Sequence, residues 1–320
     1  MASILLTGAS SFTGLWIAEA LAGDGHRVVA PLRRARAEYF GLRGERVSRL
    51  ATVAEVAFDH PFGSRAFLDL IRGGGAWDLL AHHAADIATY RDPLYDVGAG
   101  VARNLDGVGR VCKAMAAQGA RAVIATGTTF EAGEGGAGPD ALAVNTYGLS
   151  KGLTYQGLRH HARWEGLTVG KFVIAAPFGP WEEGRFVWSL FQRWMLGAPA
   201  MVRTPAYVRD NLPVVLLASA YARFVRERLD DPSEECVCRP AGFVGTQGAF
   251  ARRVAEQAAI RLGRACEVEA PVQTAFPEPL TRINAEPQLG RPWDEAGFWD
   301  RYVDYYIELD RRGVLQATAA

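Results

Sequence analysis

The stretch Ile4-Leu5-Leu6-Thr7-Gly8-Ala9-Ser10-Ser11-Phe12-Thr13-Gly14 constrains this chain more than any other. A short apolar run breaks at a glycine and restarts as the helical pattern Leu15-Trp16-Ile17-Ala18-Glu19-Ala20-Leu21. Such a strand-to-helix turn gathers backbone N–H groups and a helix N-terminus at one point, where they suit a phosphate. Gly8 lets the chain turn sharply and Gly14 lets the helix pack close to the strand, while Ser11 stands where a GxxGxxG pattern wants its middle glycine. Two glycines of three make this a candidate dinucleotide site; an ordinary tight βα turn is the competing reading.

Beyond the turn, apolar strands alternate with helical patterns. The strands are expected at Arg27–Leu32, Val53–Phe58, Asp78–His83, Ala122–Thr126 and Thr168–Ala175, and the longest helices at Val101–Gln118 and Tyr147–Trp164. Gly73-Gly74-Gly75 reads as a helix stop, and Gly133 to Pro139 as a flexible loop. Strand, helix, strand repeated in this way predicts an α/β fold, a Rossmann-type doubly wound parallel sheet with ligands at the carboxyl ends of its strands. After Ala175, prolines punctuate shorter elements and Trp181, Trp188, Trp194, Trp293 and Trp299 enrich the chain in large rings. Residues 1–175, with part of 212–240 returning, are therefore expected to form the dinucleotide-binding domain. Residues 176–320 are expected to form a smaller C-terminal substrate-binding lobe, though such rings also serve plain core packing.

Composition excludes some partners. Lys+Arg of 35 balances Asp+Glu of 35, so no overall field favours nucleic acid or an anionic membrane. No apolar stretch reaches the length of a bilayer span, and the first strand begins within a few residues of Met1, so a cytoplasmic location is expected. Cys112, Cys236, Cys238 and Cys266 lack metal-ligand spacing and read as reduced structural thiols, with no metal expected.

The sharpest chemical signal is Tyr147-Gly148-Leu149-Ser150-Lys151 at the start of a helix. A four-residue spacing puts phenol and ammonium on one helix face, where the cation stabilises a phenolate whose ordinary pKa, about 10, is too high for proton transfer near neutrality. The preceding strand ends Ala125-Thr126-Gly127-Thr128-Thr129, which can offer a hydroxyl to the same substrate oxygen. A solvated lysine beside a half-buried tyrosine is the plainer explanation.

At these residues the chain resembles the extended short-chain dehydrogenase/reductase family, the sugar-nucleotide epimerases, dehydratases and reductases. Thr7 to Gly14 is similar to the family's TGxxGFIG, with Ser11 and Thr13 as departures, and Gly8, Ser10, Ser11, Phe12, Thr13 and Gly14 would line the cofactor. Phe58-Asp59, with His60 beside it, resembles the stretch that meets the adenine ring. His83-Ala84-Ala85 resembles the HxAA stretch beside the nicotinamide ribose. Asn104-Leu105-Asp106-Gly107 is similar to the family's NxxGT helix, with Val108 in place of the threonine. Pro177-Phe178-Gly179-Pro180 resembles its YGP turn, placing Pro177 and Phe178 at the cofactor, and Arg209 to Val214 resembles its RDxxxV segment.

The resemblance implies hydride transfer at a ring carbon, most often C4, of a nucleoside diphosphate sugar. Tyr147 would be the acid/base, Lys151 would hold the nicotinamide ribose, and Thr128 or Thr126 would orient the sugar oxygen. Arg209 and Arg282 would meet the substrate's phosphates; as interlobe salt-bridge formers they would be structural. Arg185, in the stretch Pro180–Phe186, would line the sugar pocket, with His82, Asp86 and Tyr90 at its mouth. Ala176 stands where the family often has an asparagine. Glu131 alone follows the threonines, where the dehydratases carry an Asp-Glu pair, which disfavours a 4,6-dehydratase. A non-catalytic NADP(H)-binding sensor would also keep the dinucleotide turn, although the presence of both Tyr147 and Lys151 argues against it, and a reductase of a small carbonyl compound unrelated to sugars is an outlying alternative.

The cofactor follows from the end of the second strand. NAD binders usually place an acidic residue there for the ribose 2′-hydroxyl, and this chain has Leu32-Arg33-Arg34 with Arg36 beyond. Arg33 and Arg34 suit a 2′-phosphate, so NADP(H) is favoured, while Asp59 leaves NAD possible. A homodimer through the two long helices is implied by the resemblance and permitted by the apolar content of Val101 to Met115.

Overall fold

In the computed structural model, which describes residues 1–86, 95–138, 140–232 and 235–317, the opening apolar run is β1 (Ser3–Thr7), buried from Ile4 onward. It leads into α1 (Phe12–Gly23), β2 (Arg27–Pro31), α2 (Gly41–Leu50), β3 (Glu55–Ala57), α3 (Arg65–Gly73), β4 (Leu79–His82), α4 (Val97–Leu105) and α5 (Val108–Ala117). Next come β5 (Ala122–Thr128), α6 (Thr146–Trp164), β6 (Thr168–Ile174), β7 (Ala176–Phe178), α7 (Phe186–Met195), β8 (Ala200–Met201), β9 (Val208–Pro213), α8 (Val214–Asp230) and β10 (Cys236–Cys238). The rest is β11 (Pro240–Ala241), β12 (Phe243–Thr246), α9 (Gln247–Leu262), β13 (Val268–Glu269), β14 (Thr281–Arg282), β15 (Glu286–Pro287), α10 (Glu295–Arg311) and α11 (Val314–Ala317).

The chain divides into two compact units, Met1–Ile174 with Leu217–Pro240, and Ala175–Leu216 with Ala241–Ala320. The first is built on seven strands in the order β3-β2-β1-β4-β5-β6-β10. Every neighbouring pair is parallel. Strand order reverses between β1 and β4, and an open parallel sheet leaves a crevice at the carboxyl ends there. Register aligns Thr7 with His82 and His82 with Ala125, so Thr126 to Thr128 lie just past that row.

Strand periodicity sends alternate residues to opposite faces. Leu5, Leu80, Val123 and Val169 pack in one cluster with Phe67 and Ile71 of α3, Val111 and Met115 of α5, and Leu158 of α6. Gly170 and Phe172 face the other way, towards Phe224 and Tyr221 of α8.

Two expectations change in detail. The strand foreseen over Val53–Phe58 shrinks to β3 because Val53 and Ala54 still donate to Leu50 of α2, and the chain turns again at Asp59 (φ +59°). The long helix foreseen from Val101 starts at Val97 and splits into α4 and α5 at Gly107 (φ +68°), whose backbone lies against Gly63. Gly74 caps α3 as the glycine run suggested. Of the foreseen Gly133–Pro139 loop, Pro139 lies outside the described residues.

The second unit has its own small sheet, β12-β9-β14 with β7 on β9. Its core is aromatic: Phe178 packs on Phe243, Phe250, Phe298, Trp299 and Tyr302, and Phe191 stacks on Tyr306 at 3.9 Å. Trp188, Trp194 and Trp299 are fully buried, so most of the ring enrichment is core packing. Among the described residues, no helix is long and apolar enough to cross a membrane.

Candidate active site

At the first turn, the serine that replaces the middle glycine has a structural job. Ser11 is the N-cap of α1, and its hydroxyl accepts from the Gly14 N–H at 3.1 Å. The flanking glycines are obligatory on steric grounds. A Cβ at Gly14 would stand 2.3 Å from the Gly8 carbonyl oxygen, and one at Gly8 would stand 2.8 Å from the Ala84 nitrogen. The loop is thereby pressed onto the segment after β4, which carries His83, Ala84 and Ala85.

Thr7 joins the two segments. Its hydroxyl accepts from the backbone N–H groups of His83 and Ala84, both at 3.1 Å, which leaves its own proton for His82 Nδ1 at 3.2 Å. The His83 ring reaches Thr13 of α1 through Nε2 at 2.9 Å and Thr126 of β5 through Nδ1 at 3.0 Å. Burial, and then the Lys151 charge, pushes both histidines down to about 3, so they are neutral at physiological pH. A neutral imidazole donates once and accepts once, so His83 ties the two threonines together and occupies the Thr126 hydroxyl.

A basic cluster lies beside the same loop. Arg43 of α2 donates to the Ser10 hydroxyl at 3.2 Å, and the buried Arg46 donates to the Ser10 carbonyl at 3.2 Å. Partial burial lowers the proton affinity of Arg43, and the like charges of Arg46, Arg33 and Arg34 lower it further. Four guanidinium groups therefore share one neighbourhood. Asp59 and His60 are also brought to the end of β2, the Asp59 N–H donating to the Arg34 carbonyl and the His60 N–H to that of Leu32. Sequence reading found Arg33 and Arg34 and missed Arg43 and Arg46. Their three-residue spacing on one helix face was the available signal.

The phenol and the amine stand on α6, whose N-cap Asn145 accepts from the Gly148 N–H at 2.9 Å. Tyr147 is half-buried with its ring edge-on to Phe130 at 6.0 Å, and Lys151 is 8% exposed. Burial lowers the proton affinity of Lys151; Glu131 opposes that effect and Lys171 adds to it. Thr128, at the end of β5, is buried, and its N–H donates to Glu131 at 2.7 Å. Asn104 accepts from the Asp86 N–H at 2.7 Å and reaches Thr154 at 3.4 Å, tying the segment after β4 to α6. Tyr90 lies outside the described residues.

In the second unit, Pro177 and Phe178 form β7 with the Phe178 ring enclosed by aromatic neighbours, and Arg185 precedes α7. Arg209 and Arg282 meet on one carboxylate oxygen of Glu278, at 3.0 and 2.9 Å. Arg209 is buried, donates to the carbonyls of Val208, Pro279 and Leu280, and lies over the Tyr207 ring at 4.2 Å. Burial, then repulsion from Arg209, pushes Arg282 down to about 10.

No curated protein matches the sequence. Solved structures do match the fold. UDP-glucuronic acid 4-epimerase from Bacillus cereus, in complex with UDP-glucuronic acid and NAD, is 15% identical, with a TM-score of 0.73 over 96% of this chain and 99% of that one. UDP-N-acetylglucosamine 4-epimerase from Methanobrevibacter ruminantium M1 is 16% identical, with a TM-score of 0.72 over 96% and 98%. A dTDP-glucose 4,6-dehydratase from Streptomyces venezuelae, with NAD bound, is 18% identical, with a TM-score of 0.71 over 97% and 98%. The sequence itself matches the NAD dependent epimerase/dehydratase family over residues 4–233, most of the chain, and the protein therefore belongs to that family.

Proposed function

We propose that this protein is an NAD(P)-dependent epimerase or reductase that acts on a nucleoside diphosphate sugar at a ring carbon, C4 by preference. The observation that carries the reading is the pair Tyr147 and Lys151, one turn apart on α6 beside the end of β5, with the lysine buried and its proton affinity lowered. The solved relatives that bind UDP-sugars or NAD support the substrate class.

The residues present fit a dinucleotide: the close approach at Gly8 and Gly14, the loop edge made by Ser10 to Thr13, and His83-Ala84-Ala85 beside it. When bound, the nicotinamide supplies or accepts a hydride. Tyr147 holds and gives up the proton of the sugar hydroxyl. Lys151 keeps a positive charge near the phenol and holds the ribose hydroxyls. Thr128 orients the sugar oxygen, with Thr126, whose hydroxyl meets His83 at 3.0 Å, as the alternative. The cluster of Arg33, Arg34, Arg43 and Arg46 favours a 2′-phosphate, hence NADP(H), and Asp59 and His60 would flank the adenine. The protein would work as a cytoplasmic homodimer, for which the exposed Leu149 and Leu153 of α6 offer an apolar surface.

The test is turnover of a panel of UDP-, dTDP-, GDP- and CDP-linked sugars and keto-sugars with NADPH or NADH, by the protein and by Tyr147→Phe. Turnover by the protein with a loss of at least about 10³-fold in the variant is expected, since proton transfer and its coupled hydride step are both removed. Equal rates for the two would end the assignment. Mass spectrometry of the cofactor carried through purification separates the two chemistries: tightly held NAD supports epimerisation, and exchangeable NADP(H) supports net reduction.

A further inference from the structure

His83 follows β4 at the point where strand order reverses, and its main chain is fixed on two sides. Its N–H and that of Ala84 both donate to the Thr7 hydroxyl at 3.1 Å, which ties the residue to the end of β1. Gly8 lies against its carbonyl carbon so closely that a Cβ there would stand 2.9 Å away. With the backbone pinned, the staggered rotamers leave the imidazole few directions to take.

The direction it takes joins two elements that share no ladder. Nε2 meets the Thr13 hydroxyl at 2.9 Å, and Nδ1 meets the Thr126 hydroxyl at 3.0 Å. Thr13 belongs to the first turn of α1, and Thr126 to β5, two residues before Thr128; all three threonines are buried. Strand β4 stands between β1 and β5, so backbone pairing does not itself set the start of α1 against the end of β5. The ring of His83 does. A hydroxyl serves as donor or acceptor, so both contacts are satisfied in either tautomer, and truncating the ring would strand two buried hydroxyls.

From this geometry we infer that His83 is a positioning residue: its ring sets the spacing between the first turn of α1, on the dinucleotide side of the crevice, and the end of β5, which carries both threonines proposed for the sugar oxygen. The inference rests on the functional reading given above, under which that spacing becomes a reaction distance. Hydride transfer tolerates little error in it, since a misplacement of about 1 Å costs on the order of a hundredfold in rate.

Two amides separate the arms of the bridge. Asparagine places its polar atoms where Nδ1 stands and reaches Thr126 but not Thr13; glutamine places them where Nε2 stands and reaches Thr13 but not Thr126. The experiment measures NADPH and NADH affinity by nicotinamide fluorescence, and kcat on a sugar nucleotide that the wild type accepts, for His83→Asn and His83→Gln, with thermal unfolding as the folding control. In His83→Asn the first turn of α1 is loosened, so dinucleotide binding weakens about fivefold while kcat at saturating dinucleotide stays near that of the wild type. In His83→Gln binding stays within about twofold and kcat falls about tenfold or more. Thr13→Val repeats the His83→Asn result and adds nothing to it in the double variant, because both remove one contact. Should the histidine variants not fold, Thr13→Val and Thr126→Val carry the same comparison. A merely structural ring would lower stability in both amide variants without splitting affinity from rate. Equal dinucleotide affinity in His83→Asn and His83→Gln overturns the inference, whereas a wild type that binds no dinucleotide overturns the underlying functional reading instead.

Discussion

Replacing Glu182 with glutamine should change how stability of the second unit depends on pH. Glu182 is fully buried; Oε1 accepts from the hydroxyls of both Tyr302 and Tyr306, and its carbonyl accepts from Tyr305 at 2.6 Å. Its Oε2 makes no hydrogen bond among the described residues. Burial outweighs the two phenols and pushes the carboxyl from 4.5 up to about 7. A raised acid still holds its proton in the folded state at pH values where the unfolded chain has lost it. The unfolding free energy therefore falls as pH climbs from 4.5 to about 7 and is level above that. At about 1.4 kcal/mol per tenfold change in proton affinity, the loss is about 3 kcal/mol. Glutamine keeps an acceptor for the phenols and has no proton to lose. Its unpartnered amide nitrogen costs about 1–2 kcal/mol, so the variant should be about 1–2 kcal/mol more stable than the wild type above pH 7 and less stable below pH 5. Urea unfolding followed by tryptophan fluorescence suits the measurement, because Trp181, Trp188, Trp194, Trp293 and Trp299 all belong to this unit. Parallel stability curves for the two proteins between pH 5 and 8 would refute the reasoning.

Three further outcomes are expected. Arg43→Ala should weaken NADPH about tenfold or more and leave NADH nearly unchanged, which isothermal titration at fixed ionic strength would read. Gly14→Ala must relieve an overlap with the Gly8 carbonyl, and should cost about 1–3 kcal/mol in urea unfolding together with most of the dinucleotide affinity. Ser11→Ala removes the α1 cap and should cost about 1 kcal/mol by the same unfolding measurement, whereas Ser11→Gly should cost only a few tenths.

The legible parts of the chain were those written in local pattern. The alternation of strands and helices, the turn at Gly8, the glycine stop after α3 and the Tyr147–Lys151 spacing all depend on residues within a few positions of one another, and each stands where the pattern put it. Helix and strand ends were less legible. Gly107 breaks a pattern that reads as continuous because the fold sets it against Gly63, far off in sequence. The aromatic-rich second half was likewise open to either a pocket or a core until Phe178 and its neighbours were seen packed together.

By itself, then, the sequence determined the fold class, the place of the glycine turn between β1 and α1 and the one-turn spacing of Tyr147 and Lys151, because local periodicity and backbone sterics specify these without reference to the rest of the chain. Tertiary structure decided what those groups meet. His83 joins Thr13 to Thr126, Arg43 and Arg46 come to Ser10, and Lys171 reaches Glu131 only because parallel strand register and helix packing bring together residues dozens of positions apart. The strength and sign of each such contact depend on burial, which a linear chain does not possess until it has folded.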